Sequence, residues 1–220
     1  MKTIRVTGKG KIKVHPDLTR ISMTLDGLQP EYGEAVKYSA EDSAALKALL
    51  EPFGFAGKDV KTLSFSVDPE YEGYQEENVW KNRLTGYRFR HVMKIEFDSD
   101  NDRLGKILCA LANAKKISPE FRISYGVKDP EASKNALLAN AVADSCAKAK
   151  VLAGAAGVRL LELQSIDYSW GEINFEVAPM RQMSAKMMAD STAEYGTYDM
   201  DIEPDDIEVT DTVTLVWEIA

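Results

Sequence analysis

The chain has 220 residues, 45% hydrophobic and 28% charged, with a formal net charge of -8 at pH 7. That apolar content can build a full core, in one large domain or two small fused ones, so intrinsic disorder is set aside. The acidic balance argues against a general nucleic-acid surface, because phosphate binding needs concentrated Lys and Arg, and no apolar run approaches the roughly 20 residues that span a bilayer.

Met1 to Gly10 lacks the hydrophobic centre and small-residue cleavage site of a secretory leader. The expectation is a cytoplasmic protein if Met1 is the native start, and a periplasmic or cell-envelope protein if a leader was removed. Ile4, Val6, Gly8, Gly10, Ile12 and Val14 alternate with Arg5, Thr7, Lys9, Lys11 and Lys13, the period of a strand with one wet face. Gly8-x-Gly10 is therefore read as part of a strand; it has no third glycine and no following helix, as a dinucleotide loop requires. After the His15-Pro16-Asp17 turn, Thr19, Ile21, Met23 and Leu25 give the inward face of a second strand.

Pro30 to Phe53 switches to helical spacing through Tyr32, Val36, Ala40, Ser43, Leu46, Leu50 and Phe53, and Gly54 ends it. Val60 to Val67 is predicted as a strand that Asp68-Pro69 stops, and Glu70 to Thr85, polar and aromatic, suits an exposed hairpin tip. Alternation resumes from Gly86 to Phe97. Asp100 to Lys115 is a short helix packing Leu104, Ile107, Leu108 and Leu111, and Phe121, Ile123, Tyr125 and Val127 form the next strand.

The order from the second strand onward is strand, helix, strand, strand, helix, strand, which is the ferredoxin-like split βαβ plait. The fold class is therefore α+β: a plait over residues 17–127, fused to a second α+β layer from residues 1–14 and 128–220. That layer centres on one long helix. Asp129 can cap it, Pro130 suits its first position, and Gly157 can take the left-handed conformation beyond its end. One stripe of it, Leu138, Val142, Ser145, Ala149, Leu152 and Ala156, suits a sheet. A second, Ala132, Ala136, Ala139, Ala143 and Cys146, is small enough for a backbone of this chain or of a second copy to approach. Strands at Leu160 to Trp170 and over Ile207, Val209, Val213, Leu215, Trp217 and Ile219 complete the layer. Residues 1–13 carry only basic charges and 199–218 only acidic ones, which favours pairing the two ends.

Candidate chemistry is sparse. His91, between Phe89 and Met93 on an apolar strand face, could act as base or ligand, but reads best as a hydrogen-bonded core histidine. His15 beside Asp17 could pair as a base with an orienting carboxylate, yet no nucleophile is identifiably placed nearby. Cys109 and Cys146 read as buried free thiols. Met180, Met183 and Met187 share nearly one helical face and could bind Cu(I) through soft thioethers, although a lid or subunit contact is the plainer reading. The acidic run Asp199, Asp201, Glu203, Asp205 and Asp206 fails the EF-hand pattern at Pro204 and Thr210.

Nearly the whole chain resembles the SIMPL-domain family, named for a signalling molecule associated with a pelle-like kinase. The resemblance rests on Val6-x-Gly8-x-Gly10 with Pro16-Asp17, Lys61-Thr62 leading to Pro69 and Tyr71, and Gly86-Tyr87. It continues with Leu104-Gly105-Lys106-Ile107, the alanine-spaced helix with Lys148-Ala149 and Gly157, and Ile202-Glu203-Pro204. It implies an α+β protein of poorly defined role, often exported to the bacterial envelope, with some members forming ring-like homo-oligomers and some linked to oxidative stress. It supplies no catalytic residue. This chain departs from the pattern in its missing export signal, and in Asn113-Ala114-Lys115-Lys116, which lacks the glycine often found after the second helix.

Three functions are compatible with these residues. The leading one is a non-enzymatic homo-oligomer in which Ala132, Ala136, Ala139, Ala143, Met180, Met183 and Met187 make self-contacts, with no cofactor and no nucleic acid. The second is a metal or small-ligand binder using the methionines of 179–190. The third is a hydrolase using His15 and Asp17, or His91.

Overall fold

A computed structural model of the chain describes residues 2–168, 175–177, 183–184 and 204–220. Among these the order is β1 (Lys2–Val14), β2 (Leu18–Gln29), α1 (Tyr32–Leu50), β3 (Lys61–Glu76), β4 (Val79–Asp98), α2 (Asn101–Ala112), β5 (Glu120–Gly126), α3 (Pro130–Ala155) and β6 (Leu160–Asp167). Two short strands, β7 (Glu176–Val177) and β8 (Met183–Ser184), precede β9 (Ile207–Ile219). The architecture is α+β, and the chain divides into two compact units. One takes residues 2–17, 126–177 and 204–220; the other takes Leu18–Tyr125 and the short strand β8.

The second unit contains the plait. Its strands run β3-β4-β2-β5, with β3–β4 and β4–β2 antiparallel and β8 beside β5. Alternation puts Ile21, Met23, Leu25, Phe89, Met93, Ile95, Phe121 and Ile123 into the core, where Leu46 and Leu50 of α1 and Leu104, Ile107, Leu108 and Leu111 of α2 close over them. The buried face of α1 is Ala35, Ser39, Ser43, Leu46 and Leu50. This corrects the expected stripe: Tyr32 and Val36 are exposed, so the helix is rotated toward its smaller side chains at its first turns. A 3-10 turn over Glu51–Phe53 leads to Gly54, whose φ of 86° ends the run as expected. The side chain of Asp100 caps α2 by accepting from the Arg103 N–H at 2.9 Å. At its other end Asn113 has φ -94° and its amide donates to the Cys109 carbonyl oxygen at 2.9 Å, so no left-handed glycine is needed there.

Pro69 does not stop β3. It pairs with Tyr87 on an edge strand, where its missing N–H costs no ladder bond, and the ladder continues to Glu76 opposite Val79. Glu77 and Asn78, at φ 50° and 63°, make the two-residue turn, the left-handed pair of a type I′ hairpin. What reads in the sequence as a loop is a two-stranded ribbon.

In the first unit β9 lies between β1 and β6. The chain's two ends share one ladder, from Lys2 opposite Ile219 to Val14 opposite Ile207. Lys11 pairs with Glu208, so opposed charges meet there as an exposed contact, and the His15 ring lies beside Asp206. The Asp129 carboxylate caps α3 by accepting from the Ala132 N–H at 3.0 Å, and Gly157 has φ 68°. The buried face of α3, however, is Leu137, Ala141, Ser145, Ala149 and Ala153. Of the stripe expected to meet a sheet, Leu152 and Ala156 are exposed; of the small-residue stripe, Ala132, Ala136, Ala139 and Ala143 are exposed. The reason lies in β1. A Cβ on Gly8 would collide with the Ala141 carbonyl and lie 2.7 Å from Ser145 Cβ, and one on Gly10 would collide with the Leu137 carbonyl. Two glycines let α3 lie directly on the strand along its Leu137–Ala153 face. Val6, Val213, Leu215 and Trp217 fill the remaining space with Leu138, Val142 and Cys146.

Side chains of α3 also bind the backbone of β1. Ser145 Oγ donates to the Val6 carbonyl at 2.9 Å, Asp144 accepts from the Lys9 N–H at 2.7 Å, and Asn140 donates to the Lys11 carbonyl at 3.4 Å. These bonds fasten the helix to the strand it covers. Both cysteines are free but half-buried rather than buried, since Cys146 sits at the margin of the helix-sheet contact.

Candidate functional site

The polar cluster richest in chemistry among the described residues surrounds His91. Alternation along β4 turns Phe89, His91 and Met93 to the helix-covered face, and β3 runs alongside with Phe65 in register opposite His91. A register shift between Thr62 and Ser64 places Thr62 opposite Met93, on the same face. Thr62 Oγ1 and His91 Nε2 then share a 2.9 Å hydrogen bond, and the Phe65 ring meets the imidazole edge-on at 5.3 Å between centroids. From α1, Ser39 Oγ lies 3.5 Å from His91 Nδ1, and Ser43 Oγ donates to Met93 Sδ at 3.6 Å.

Burial, and secondly the charge of Lys47, hold the His91 pKa below its ordinary value. The ring is neutral at pH 7, with one N–H and one lone pair set between two hydroxyls. Such an imidazole can polarise the exposed Thr62 hydroxyl. The position a catalytic carboxylate would take on its second nitrogen is held by Ser39, which is buried. The arrangement therefore ties α1 to β3 and β4 through a satisfied polar contact, as the reading of a hydrogen-bonded histidine expects. Ser39 and Ser43 were missed as its neighbours. Their signal was available: two serines at i and i+4 on an otherwise apolar helix face.

His15 does not pair with Asp17. Its Nδ1 lies 3.2 Å from Asp206 Oδ1, while Asp17 accepts from the Lys128 N–H at 2.8 Å and donates its own N–H to the Gly126 carbonyl at 3.1 Å. The proline turn commits Asp17 to the backbone, which takes the carboxylate away from the imidazole. Within the acidic run, Asp206 meets His15 and Asp205 accepts from the Asp206 N–H at 2.8 Å. Asp199, Asp201 and Glu203 lie outside the described residues, as do Met180 and Met187; Met183 is placed only by its backbone, opposite Phe121. Among the described residues no group of three or more His, Cys, Asp or Glu is placed to hold a metal ion. No helix among them is long and apolar enough to cross a membrane.

A family model described as SIMPL, protein of unknown function (DUF541), matches residues 4–217. The 26 kDa periplasmic immunogenic proteins of Brucella melitensis biotype 1 and Brucella abortus strain S19 are each 27% identical to this chain over 168 residues. Each alignment covers 71% of this chain and 62% of the relative, so the match spans less than two thirds of those proteins' length.

Proposed function

The chain belongs to the SIMPL family, whose biochemical role is undefined, and from that premise we propose that it is a non-enzymatic, self-associating protein of the bacterial periplasm. The observation that carries self-association is the state of the sheet edges. Among the described residues β3 and β6 are edge strands, and they carry exposed Leu63, Phe65 and Tyr71, and exposed Leu161, Leu163 and Ile166. Open edges bearing large apolar side chains favour pairing with another chain. The periplasmic part is supported by the relatives' names. The non-enzymatic part is supported by the His91 and His15 geometries, neither of which joins an accessible nucleophile to a base and an orienting carboxylate. A contribution to oxidative-stress survival belongs to the same reading, on the family resemblance, and peroxide killing of a deletion strain tests it.

Sedimentation velocity of the purified chain at micromolar concentration tests self-association. Species heavier than the 24.4 kDa protomer are expected, and a monomer throughout that range refutes it.

A further inference from the structure

Both neighbours of the β3–β4 ribbon end at the same level. Gln29, the last residue of β2, pairs with Tyr87, and Tyr32, the first residue of α1, meets the Tyr87 ring edge-on at 5.6 Å. Beyond Gly86 the ribbon continues through Glu70–Glu76 and Val79–Gly86 with no further strand paired to it among the described residues. A lone two-stranded ribbon is marginal in water and gains stability when one face is covered.

Its two faces are chemically opposite. Directly paired residues share a face, so Glu72 with Arg83, Tyr74 with Lys81 and Glu76 with Val79 lie on one side, and Tyr71 with Leu84, Gly73 with Asn82 and Gln75 with Trp80 on the other. Apart from Glu77 in the turn, the charge beyond the bulge at Glu70 lies on the first face, and it is internally matched: Arg83 donates to Glu72 at 2.8 Å and Lys81 to Glu76 at 2.7 Å. The second face bears no charge. Tyr71 is 60% exposed, Leu84 47% and Trp80 74%.

We propose that this uncharged face is where a second copy of the same chain docks, ribbon against ribbon about a twofold axis. The proposal rests on the self-association read above and names its surface. Three observations select that occupant. Copies of net charge -8 repel, so a self-contact is favoured where the surface is neutral, and this face is neutral on both partners. A twofold contact needs a patch that complements itself. Trp80 is the projecting group and Gly73 is the notch beside it, where an added Cβ would find only Asn82 Oδ1 at 3.6 Å and the Trp80 ring at 3.9 Å. The area also suffices. With Tyr32 and Phe65 on the same side, and roughly 200 Å² for a fully exposed aromatic, the strip offers about 550 Å² per copy, or about 1,100 Å² in a pair, above the roughly 1,000 Å² that a specific interface needs. The Glu77-Asn78 turn holds the ladder to its tip, so little ordering remains to be done on contact.

The test is sedimentation of the intact chain beside Tyr71→Ser/Trp80→Ser and, as control on the charged face, Lys81→Gln. Both changed rings are exposed, so the core is untouched; far-UV circular dichroism checks the fold and Trp80→Phe checks the requirement for an aromatic knob. The expected result is an assembled wild type, an assembled Lys81→Gln and Trp80→Phe, and a double variant whose dissociation constant rises at least about 100-fold. Wild type and double variant assembling alike overturn the surface while leaving self-association standing. A monomeric wild type overturns both, and a monomer that binds zwitterionic phosphatidylcholine vesicles through Trp80 reassigns the face to lipid.

Discussion

Gly8→Ala is the sharpest probe of how α3 meets its sheet. The added Cβ would run into the Ala141 carbonyl oxygen and the Ser145 amide nitrogen, both helix backbone, which cannot swing aside as a side-chain tip can. Such overpacking costs about 1–3 kcal/mol, and the immovable partners put this case at about 3. Alanine returns about 0.5–1 kcal/mol through the unfolded chain's smaller conformational freedom, leaving a net loss of about 2 kcal/mol. The buried Ser145 to Val6 hydrogen bond crosses the same contact and lengthens with any retreat of the helix. Urea unfolding followed at Trp217, which lies in this unit's core, reads the loss once Trp80 and Trp170 are replaced by phenylalanine. Gly154→Ala is the internal control: it is helical, has nothing within 4 Å of the added carbon, and is expected to stabilise by up to about 1 kcal/mol. A Gly8→Ala midpoint equal to wild type would refute the close approach and with it the account of which face α3 buries.

Asp129→Ala removes the carboxylate that caps α3, and a loss of about 1 kcal/mol is expected in the same urea assay; no change means the cap is replaced by another group. Because the folded His91 pKa is depressed, the unfolded chain binds the extra proton first as pH falls. The stability this contributes is fully present above the unfolded value near 6.5, and is lost as pH drops through the folded pKa. NMR titration of His91 should give a midpoint below that of a free histidine, and His91→Gln should flatten this part of the acid dependence; an ordinary midpoint sinks the account.

The plait was legible because its strands alternate and its helices carry local signals, as Asp100 does at the start of α2 and Gly54 after α1. Which face of α3 is buried was not legible. Alanines lie on nearly every side of it, so no stripe stands out, and the choice is made by Gly8 and Gly10, more than a hundred residues away in sequence. Pro69 misled for a related reason: proline breaks a central strand, and only the sheet order reveals that β3 is an edge. His91 was placed on its correct face by the period of β4. Its neighbours could not be, because Ser39 and Thr62 reach it from two other elements, and the carboxylate at His15 comes from Asp206, at the far end of the chain.

The ladder that joins Lys2 to Ile219 also sets a timetable for biogenesis. The plait strands and helices occupy one uninterrupted stretch, Leu18–Tyr125, and can close while the ribosome is still adding the long helix and the closing strand. The opening strand cannot. At roughly 5–20 residues per second it waits about 10–40 s for its partner strand to emerge, with only α3 synthesised in time to cover its glycine-lined flank. Truncation ahead of Ile207 would leave that strand permanently unpaired while sparing the contiguous half.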